Sequence, residues 1–307
     1  MLIFEPSSPP PKPMQNAVVA LGNFDGVHLG HQVVLQKARE QARKHNKPFG
    51  VVTFEPHPRS VFAPADAPFR ITPAHTKRRI LADLGVDVCF EIPFTYEFSK
   101  LGAEQFVEDL LLGQLHISHA VAGHDFVFGH KRGGDMRLLK QLMKKHHLHV
   151  DEVSPVYDNS HVLWSSTRIR EVLQKGDPKS AAAALGRNWE IEGIVQRGAQ
   201  RGRTIGFPTA NLSLDCYQRP RFGIYAVTVT HAGKQYQGVA NIGIRPTVDG
   251  ERESLEVHIF DFAGDLYEQS IRIGFVDFIR PEQRFEGLDA LKNQIKQDCL
   301  VAKQMLA

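Results

Sequence analysis

Two histidines three apart, His28 and His31, lie in GNFDGVHLGHQ, between the apolar run Ala17 to Leu21 and a charged stretch with helical patterning. The run is short and bounded by Gly22, which predicts a buried strand of a parallel sheet. From Gln32 onward Val33, Leu35, Ala38 and Ala42 recur among Lys37, Arg39, Glu40, Arg43 and Lys44, which predicts a helix. A helix N-terminus already attracts anions through unpaired N–H groups and its dipole, so two imidazoles added there suggest a triphosphate site. Gly22, Gly26 and Gly30 let the backbone of that turn approach a ligand closely. On spacing alone, a surface turn or a metal pair accounts for the histidines as well.

Four other groupings carry chemistry. Ser165, Ser166 and Thr167 precede Arg168, Ile169 and Arg170. One hydroxyl would serve as an ordinary helix cap, but three with two arginines exceed that need, and no Glu or Gln completes a capping box. A second phosphate clamp is the better account. Thr209 and Asn211, in GRTIGFPTANL, are two apart, so extended backbone puts both side chains on one side, where they suit one hard cation with phosphate oxygens. Arg201 and Arg203 nearby admit nucleic-acid contacts as a competing reading. Asp125, Phe126 and Phe128 alternate in a glycine-rich segment, offering one polar contact and a stacking surface, or else a buried aromatic anchor. His57 stands between two prolines after the apolar run FGVVTF, at the sheet edge where ligands bind, and a rigid turn explains it equally.

Strands and helices must position these groups. Expected strands at 49–54, 86–92, 120–122 and 150–156 alternate with helices near 73–84, 103–112 and 138–147, which predicts a doubly wound parallel α/β sheet. After the alanine-rich helix PKSAAAALG the pattern changes. Short β-type segments at 191–195, 224–230, 237–241, 255–260 and 271–278 predict an antiparallel barrel, closed by a helix over about 288–305. The boundary is placed near Gly186, giving domains 1–185 and 186–307.

GNFDGVHLGHQ contains the HxGH signature of the nucleotidylyltransferase superfamily, and with FDG before it the stretch resembles bacterial bifunctional riboflavin kinase/FAD synthetases. GHDFVFGHKRGG is similar to the GxDFxFGxxRxG element of that family, and WSSTRIR to its ISSTxIR element, with Trp164 where an aliphatic residue is usual. FPTANL resembles the PTAN signature of riboflavin kinases, and SLEVHIFDF the strand that carries their glutamate base. The resemblance covers nearly the whole chain in family order. It implies a Rossmann-like nucleotidylyltransferase domain and a riboflavin kinase barrel. It also implies ATP sites at Gly22, Phe24, Gly26, His28, His31, Ser165, Ser166, Thr167 and Arg168, and at Gly202, Arg203, Thr209 and Asn211. Asp125, Phe126, Phe128 and Arg132, with His57, would line the flavin pocket. Thr209 and Asn211 would help to hold Mg²⁺, and Glu256 would act as base. Without the resemblance Glu256 reads as an exposed strand glutamate.

Riboflavin, FMN, FAD and ATP are then the expected small-molecule partners, with neither nucleic acid nor membrane among them. FMN would be made at the barrel, and FAD with pyrophosphate at the first domain. Adenylyl transfer to a phosphate needs no general base, because a phosphate with a second pKa of about 6 is already ionised near neutral pH. A sugar-alcohol hydroxyl is not, so the kinase half does need one. Two departures from the family pattern stand out: Ala199 and Gln200 replace the usual Asp-Gly, and Glu268 and Gln269 the usual Gly-Lys. The competing expectations are an active adenylyltransferase with a barrel that only binds flavin, or a nucleic-acid-binding barrel. A nicotinamide-dependent Rossmann enzyme is disfavoured, since the first turn lacks G-x-G-x-x-G.

The composition, 42% apolar and 23% charged over 307 residues, is that of a globular protein with about two domains. A net charge of +3 with interleaved acids argues weakly for nucleic acid. Three distant cysteines indicate neither a disulfide framework nor a Cys-x-x-Cys site, and His146, His147 and His149 read as a solvated helix end. MLIFEPSSPPPKP has no leader pattern, and its prolines read as a stiff lead-in, so a reducing cytoplasm is the expected address.

Overall fold

The computed structural model describes residues 1–5, 9–158, 160–198, 202, 205–247 and 250–307. The chain forms two compact units. One comprises Met1–Ala67 and Thr72–Ser165, the other Pro68–Ile71 and Ser166–Ala307.

In the first unit, strands β1 (Leu2–Phe4), β2 (Val18–Leu21), β3 (Phe49–Glu55), β4 (Val88–Pro93), β5 (His119–Gly123) and β6 (His149–Val153) form one parallel sheet in the order β1-β4-β3-β2-β5-β6. Alternate residues of β2 feed opposite faces. Val19 and Leu21 join a core with Phe106, Leu110, Leu139 and Met143, whereas Val18 and Ala20 join one with Val34, Leu35, Ile80 and Leu81. Both faces are therefore apolar, and both are covered. One side carries α4 (Ala103–Gln105, running on through Phe106–Gln114 with π-type bonds such as Leu115 N–H to Leu110 O) and α5 (Met136–Lys145). The other carries α1 (Leu29–Lys44) and α3 (Ala74–Asp83), and a short α2 (Pro58–Phe62) follows β3. The expected doubly wound sheet is present. The lead-in contains a strand that the proline-rich reading passed over: Leu2, Ile3 and Phe4 pair with Val88, Cys89 and Phe90.

The chain winds outward from β2 in both directions, so β2 and β5 flank the topological switch point, where the carboxyl ends of the strands leave a ligand crevice. The turn after β2 and the loop after β5 both open there.

The second unit is a six-stranded sheet of β7 (Trp189–Ile194), β12 (Ser270–Arg280), β9 (Gly223–His231), β10 (Lys234–Thr247), β11 (Gly250–Ile259) and β8 (Ala210–Leu212), antiparallel throughout and in that order. It curls until its edges meet, the Gln196 N–H donating to Asn211 O at 2.8 Å. Trp189, Tyr225 and Phe275 are buried and pack ring to ring within 4.9 to 5.2 Å. On the outer face α8 (Leu288–Leu306) covers Ala226, Val239 and Phe260 through Ala302, and Arg280 is held bidentate by the buried Asp298 at 2.8 and 2.7 Å. Helices α6 (Ser166–Lys175) and α7 (Pro178–Leu185) belong to this unit, with α7 packed on β7 and β12. The compact units thus meet along the chain at Ser165, ahead of the Gly186 boundary chosen from the change in pattern. The segment 68–71 is part of the same unit: Arg70 N–H donates to Cys216 O at 3.1 Å, Gln218 N–H to Arg70 O at 2.7 Å, and the Trp189 indole to Ile71 O at 3.1 Å.

Candidate active sites

In the first unit the turn after β2 is wound tightly. Phe24, Gly26 and Val27 all have positive φ, at 52°, 91° and 44°. For a β-branched residue such as Val27 that is a strained backbone, of the kind that concentrates at ligand sites. What holds it is a set of buried polar groups. Asp25 accepts from Thr72 N–H at 2.9 Å, and Thr72 Oγ1 accepts from Gly26 N–H at 2.8 Å. The fully buried Lys77 donates to Glu55 at 2.7 Å and Thr53 Oγ1 at 2.9 Å, and reaches Asn23 O at 3.4 Å. Asp25, Thr72 and Lys77 were not singled out from sequence. The signal for Lys77 was a lysine on the buried stripe Thr76, Lys77, Ile80 and Leu81 of α3.

Helix α1 begins at Leu29, three residues before the expected Gln32, so His28 is its N-cap and its Nδ1 accepts from His31 N–H at 3.3 Å. The two rings stack with centroids 3.7 Å apart, and Phe24 meets His31 edge-on at 5.3 Å. Gly30 makes room for the stack, since a Cβ there would sit 3.0 Å from the His28 ring; one at Gly22 would sit 3.2 Å from the Phe24 ring. His31 Nδ1 is closed from solvent and unpartnered. Burial, then His28 and then Lys77, hold His31 well below the usual histidine range, so it is neutral.

The loop after β5 divides its residues by exposure. Phe128 is enclosed in the core against Phe106 at 5.1 Å, while Phe126 is partly open and stacks on Phe128 at 5.6 Å. Asp125 and Arg132 are exposed, the latter at φ 58°. Phe128 thus fits the buried-anchor alternative, and Phe126 is the ring left partly open. Phe62, Phe94, Phe54 and Phe106 extend this aromatic row along the carboxyl ends of β3 and β4, with neighbouring centroids 5.6 to 6.4 Å apart. His57 caps α2, its Nδ1 accepting from Arg59 N–H at 3.1 Å. Ser165 ends the first unit, whereas Ser166, Thr167 and Arg168 open α6 of the second.

In the second unit, Glu256 of β11 lies directly opposite Asn211 of β8, so the two side chains share a face. The loop leading to Thr209 and Asn211 is pinned to the same strand, with His258 Nδ1–H donating to Pro208 O at 2.8 Å and its ring meeting Phe207 edge-on. A Cβ at Gly198 would come within 2.7 Å of the Asn211 amide, and one at Gly202 would run into the Phe207 carbonyl near Thr209 Oγ1. Glycine at both positions lets the backbone pack directly against the groups that flank Thr209 and Asn211. Among the described residues no cluster of three His, Cys, Asp or Glu could hold a metal. Arg203 lies outside the described residues, as do Arg201, Ala199 and Gln200. The other departure, Glu268, adopts φ 66°, a conformation that costs glycine nothing.

The family model for FAD synthetase matches residues 11–168, and that for riboflavin kinase matches residues 185–306. The chain is 42% identical over 293 residues to the bifunctional riboflavin kinase/FMN adenylyltransferase of Escherichia coli (strain K12), covering 95% of this chain and 93% of that one. It is 40% identical to the protein of the same name from Haemophilus influenzae, covering 94% of each. A crystal structure titled as a macrolide-efflux protein from Streptococcus pneumoniae aligns over 99% of both chains, with a TM-score of 0.87 and 33% identity. Among the described residues of this chain no helix is long and apolar enough to cross a membrane. Two matched models in this order, with that identity sustained along the length, place the chain in the bifunctional riboflavin kinase/FMN adenylyltransferase family.

Proposed function

We propose that the chain phosphorylates riboflavin with ATP to give FMN in its second unit, and transfers adenylyl from a second ATP to FMN in its first, releasing pyrophosphate. What supports the reading is a pair of sites suited to phosphate with different chemical equipment: a stacked imidazole pair with His31 neutral at a helix start in one, and a carboxylate facing Asn211 in the other. In the first, an ionised FMN oxygen attacks the α-phosphorus. His28, His31 and the turn N–H groups orient and neutralise the triphosphate, Ser165 to Arg168 are the chain's second phosphate clamp, and Phe126 with Asp125, Arg132 and His57 receives the flavin. In the second, Glu256 takes the proton of the terminal ribityl hydroxyl as its oxygen attacks the γ-phosphorus and ADP leaves. Gly202 and Arg203 would border that ATP. Thr209 and Asn211 would hold Mg²⁺, which supplies charge neutralisation between the transferring phosphates. The activities are assigned to 1–185 and 186–307, with α6 and α7 carried by the compact unit of the kinase. The free thiols of Cys89, Cys216 and Cys299 suit a reducing cytoplasm.

The test is a time course of the purified protein with riboflavin and Mg-ATP, separating riboflavin, FMN and FAD by chromatography. FMN formed before FAD is the expected result. FAD formed from added FMN while riboflavin persists would remove the kinase assignment, and conversion of neither flavin would remove both.

A further inference from the structure

Strands β8, β11 and β10 place Asn211, Glu256 and Asn241 directly opposite one another, so the three side chains form a row on one face. Cβ atoms in such a row are about 5 Å apart. The next member, Ile224 of β9, packs with the apolar cluster beneath α8. That flank explains why Asn241 Oδ1 is closed from solvent, where it accepts no hydrogen bond. An unpaired buried amide oxygen is costly to keep, and an apolar side chain of similar shape would remove the cost. Its neighbour Glu256 cannot relieve it, because an ionised carboxylate only accepts. The missing donor must come from outside the row. Two residues along β10 on the same face, Gly243 has no side chain, and the Glu282 carboxylate lies against it. The row therefore sets two acceptors, the Glu256 carboxylate and Asn241 Oδ1, side by side, and these match successive hydroxyl donors of one chain.

We infer that Asn241 positions the substrate in the kinase site, its carbonyl oxygen accepting a hydrogen bond from an internal hydroxyl of the ribityl chain. The inference rests on the reading of Glu256 as the base for the terminal hydroxyl, and gives that hydroxyl its orientation.

The experiment measures kcat and KM for riboflavin phosphorylation by the full-length protein and by Asn241→Ala. Each is given riboflavin and analogues lacking one internal ribityl hydroxyl at a time. With riboflavin the variant loses about tenfold in kcat/KM. One analogue costs the native protein about the same, and the variant with that analogue loses no more than either change alone. Losses that multiply for every analogue overturn the inference. A raised Mg²⁺ requirement in the variant, with no analogue coupled to it, makes Asn241 a cation ligand and also overturns it. If Asn241→Ala melts below the assay temperature, the same cycle is run with Asn241→Ser. Glu256→Gln separates the underlying reading: retained phosphorylation removes Glu256 as base, whatever the Asn241 cycle returns.

Discussion

Stacked imidazoles 3.7 Å apart cannot both carry charge at low cost, and the turn resolves this by keeping His31 neutral. A triphosphate brought to that ring favours its charged form, so nucleotide binding at the first unit should take up protons just below neutral pH. Calorimetric titration of ATP in two buffers of different ionisation enthalpy measures the uptake. No difference between native protein and His31→Gln would place the triphosphate elsewhere. The same shift bears on stability. The folded pKa lies below the unfolded value of about 6.5, so the unfolded chain binds the extra proton and stability falls as pH drops below about 6.5. Melting curves at pH 7.5 and 5.5 should show a smaller loss for His31→Gln than for the native chain. Replacing both His28 and His31 with alanine should cut adenylyl transfer by about 100-fold or more and leave riboflavin phosphorylation within about twofold. Equal loss of both activities would defeat the division of labour. The histidines were legible because their spacing and their place after an apolar run are local facts. Lys77 was not, because its role depends on Glu55, Thr53 and Asn23, which the fold brings to it from other elements. Lys77→Met removes the buried cation paired with Glu55 and should cost about 3 kcal/mol in a denaturant titration; a neutral result would show that the pair does not brace the turn.

At the scale of elements, the sheet was readable wherever burial on both faces wrote an unbroken apolar run, as at Val18–Leu21 and Phe49–Glu55. Edge elements left weaker traces. β1 has three residues ahead of a run of prolines, and β8 has three residues, paired with β11 and bridged to Gln196. Glu256 and Asn211 were therefore singled out by family resemblance, and their facing was not read from sequence at all, since register between strands 45 residues apart is not a local property. The turn before β12 holds Glu268 at φ 66°, which a side chain occupies at a cost of about 1 kcal/mol. Glu268→Gly should stabilise the second unit by up to about 0.5 kcal/mol, since relief of strain outweighs the added freedom of the unfolded chain. A lowered denaturation midpoint would show that the side chain contributes something the turn needs.

For the molecule as a whole, the change from α/β alternation to spaced β segments located two domains, because composition and period are summed over many residues. The allegiance of 166–185 was not legible: amphipathic helices state which face is apolar but not which sheet will cover it. Leu173, Ala181 and Leu185 are buried in the second unit. A fragment 186–307 should accordingly melt lower than one of 166–307, or aggregate where the longer one stays monomeric, as size-exclusion chromatography and thermal scans would record. Equal melting would return the boundary to Gly186. Neither fragment contains Phe69 to Ile71, whose backbone groups bond to Arg170, Cys216, Gln218 and Trp189. On the ribosome these residues emerge roughly 150 positions before their partner Tyr217. The second unit cannot close as its own stretch of message is read; it must wait for a strip of chain made long before, and a gene cut at the boundary would encode a kinase born without one of its parts.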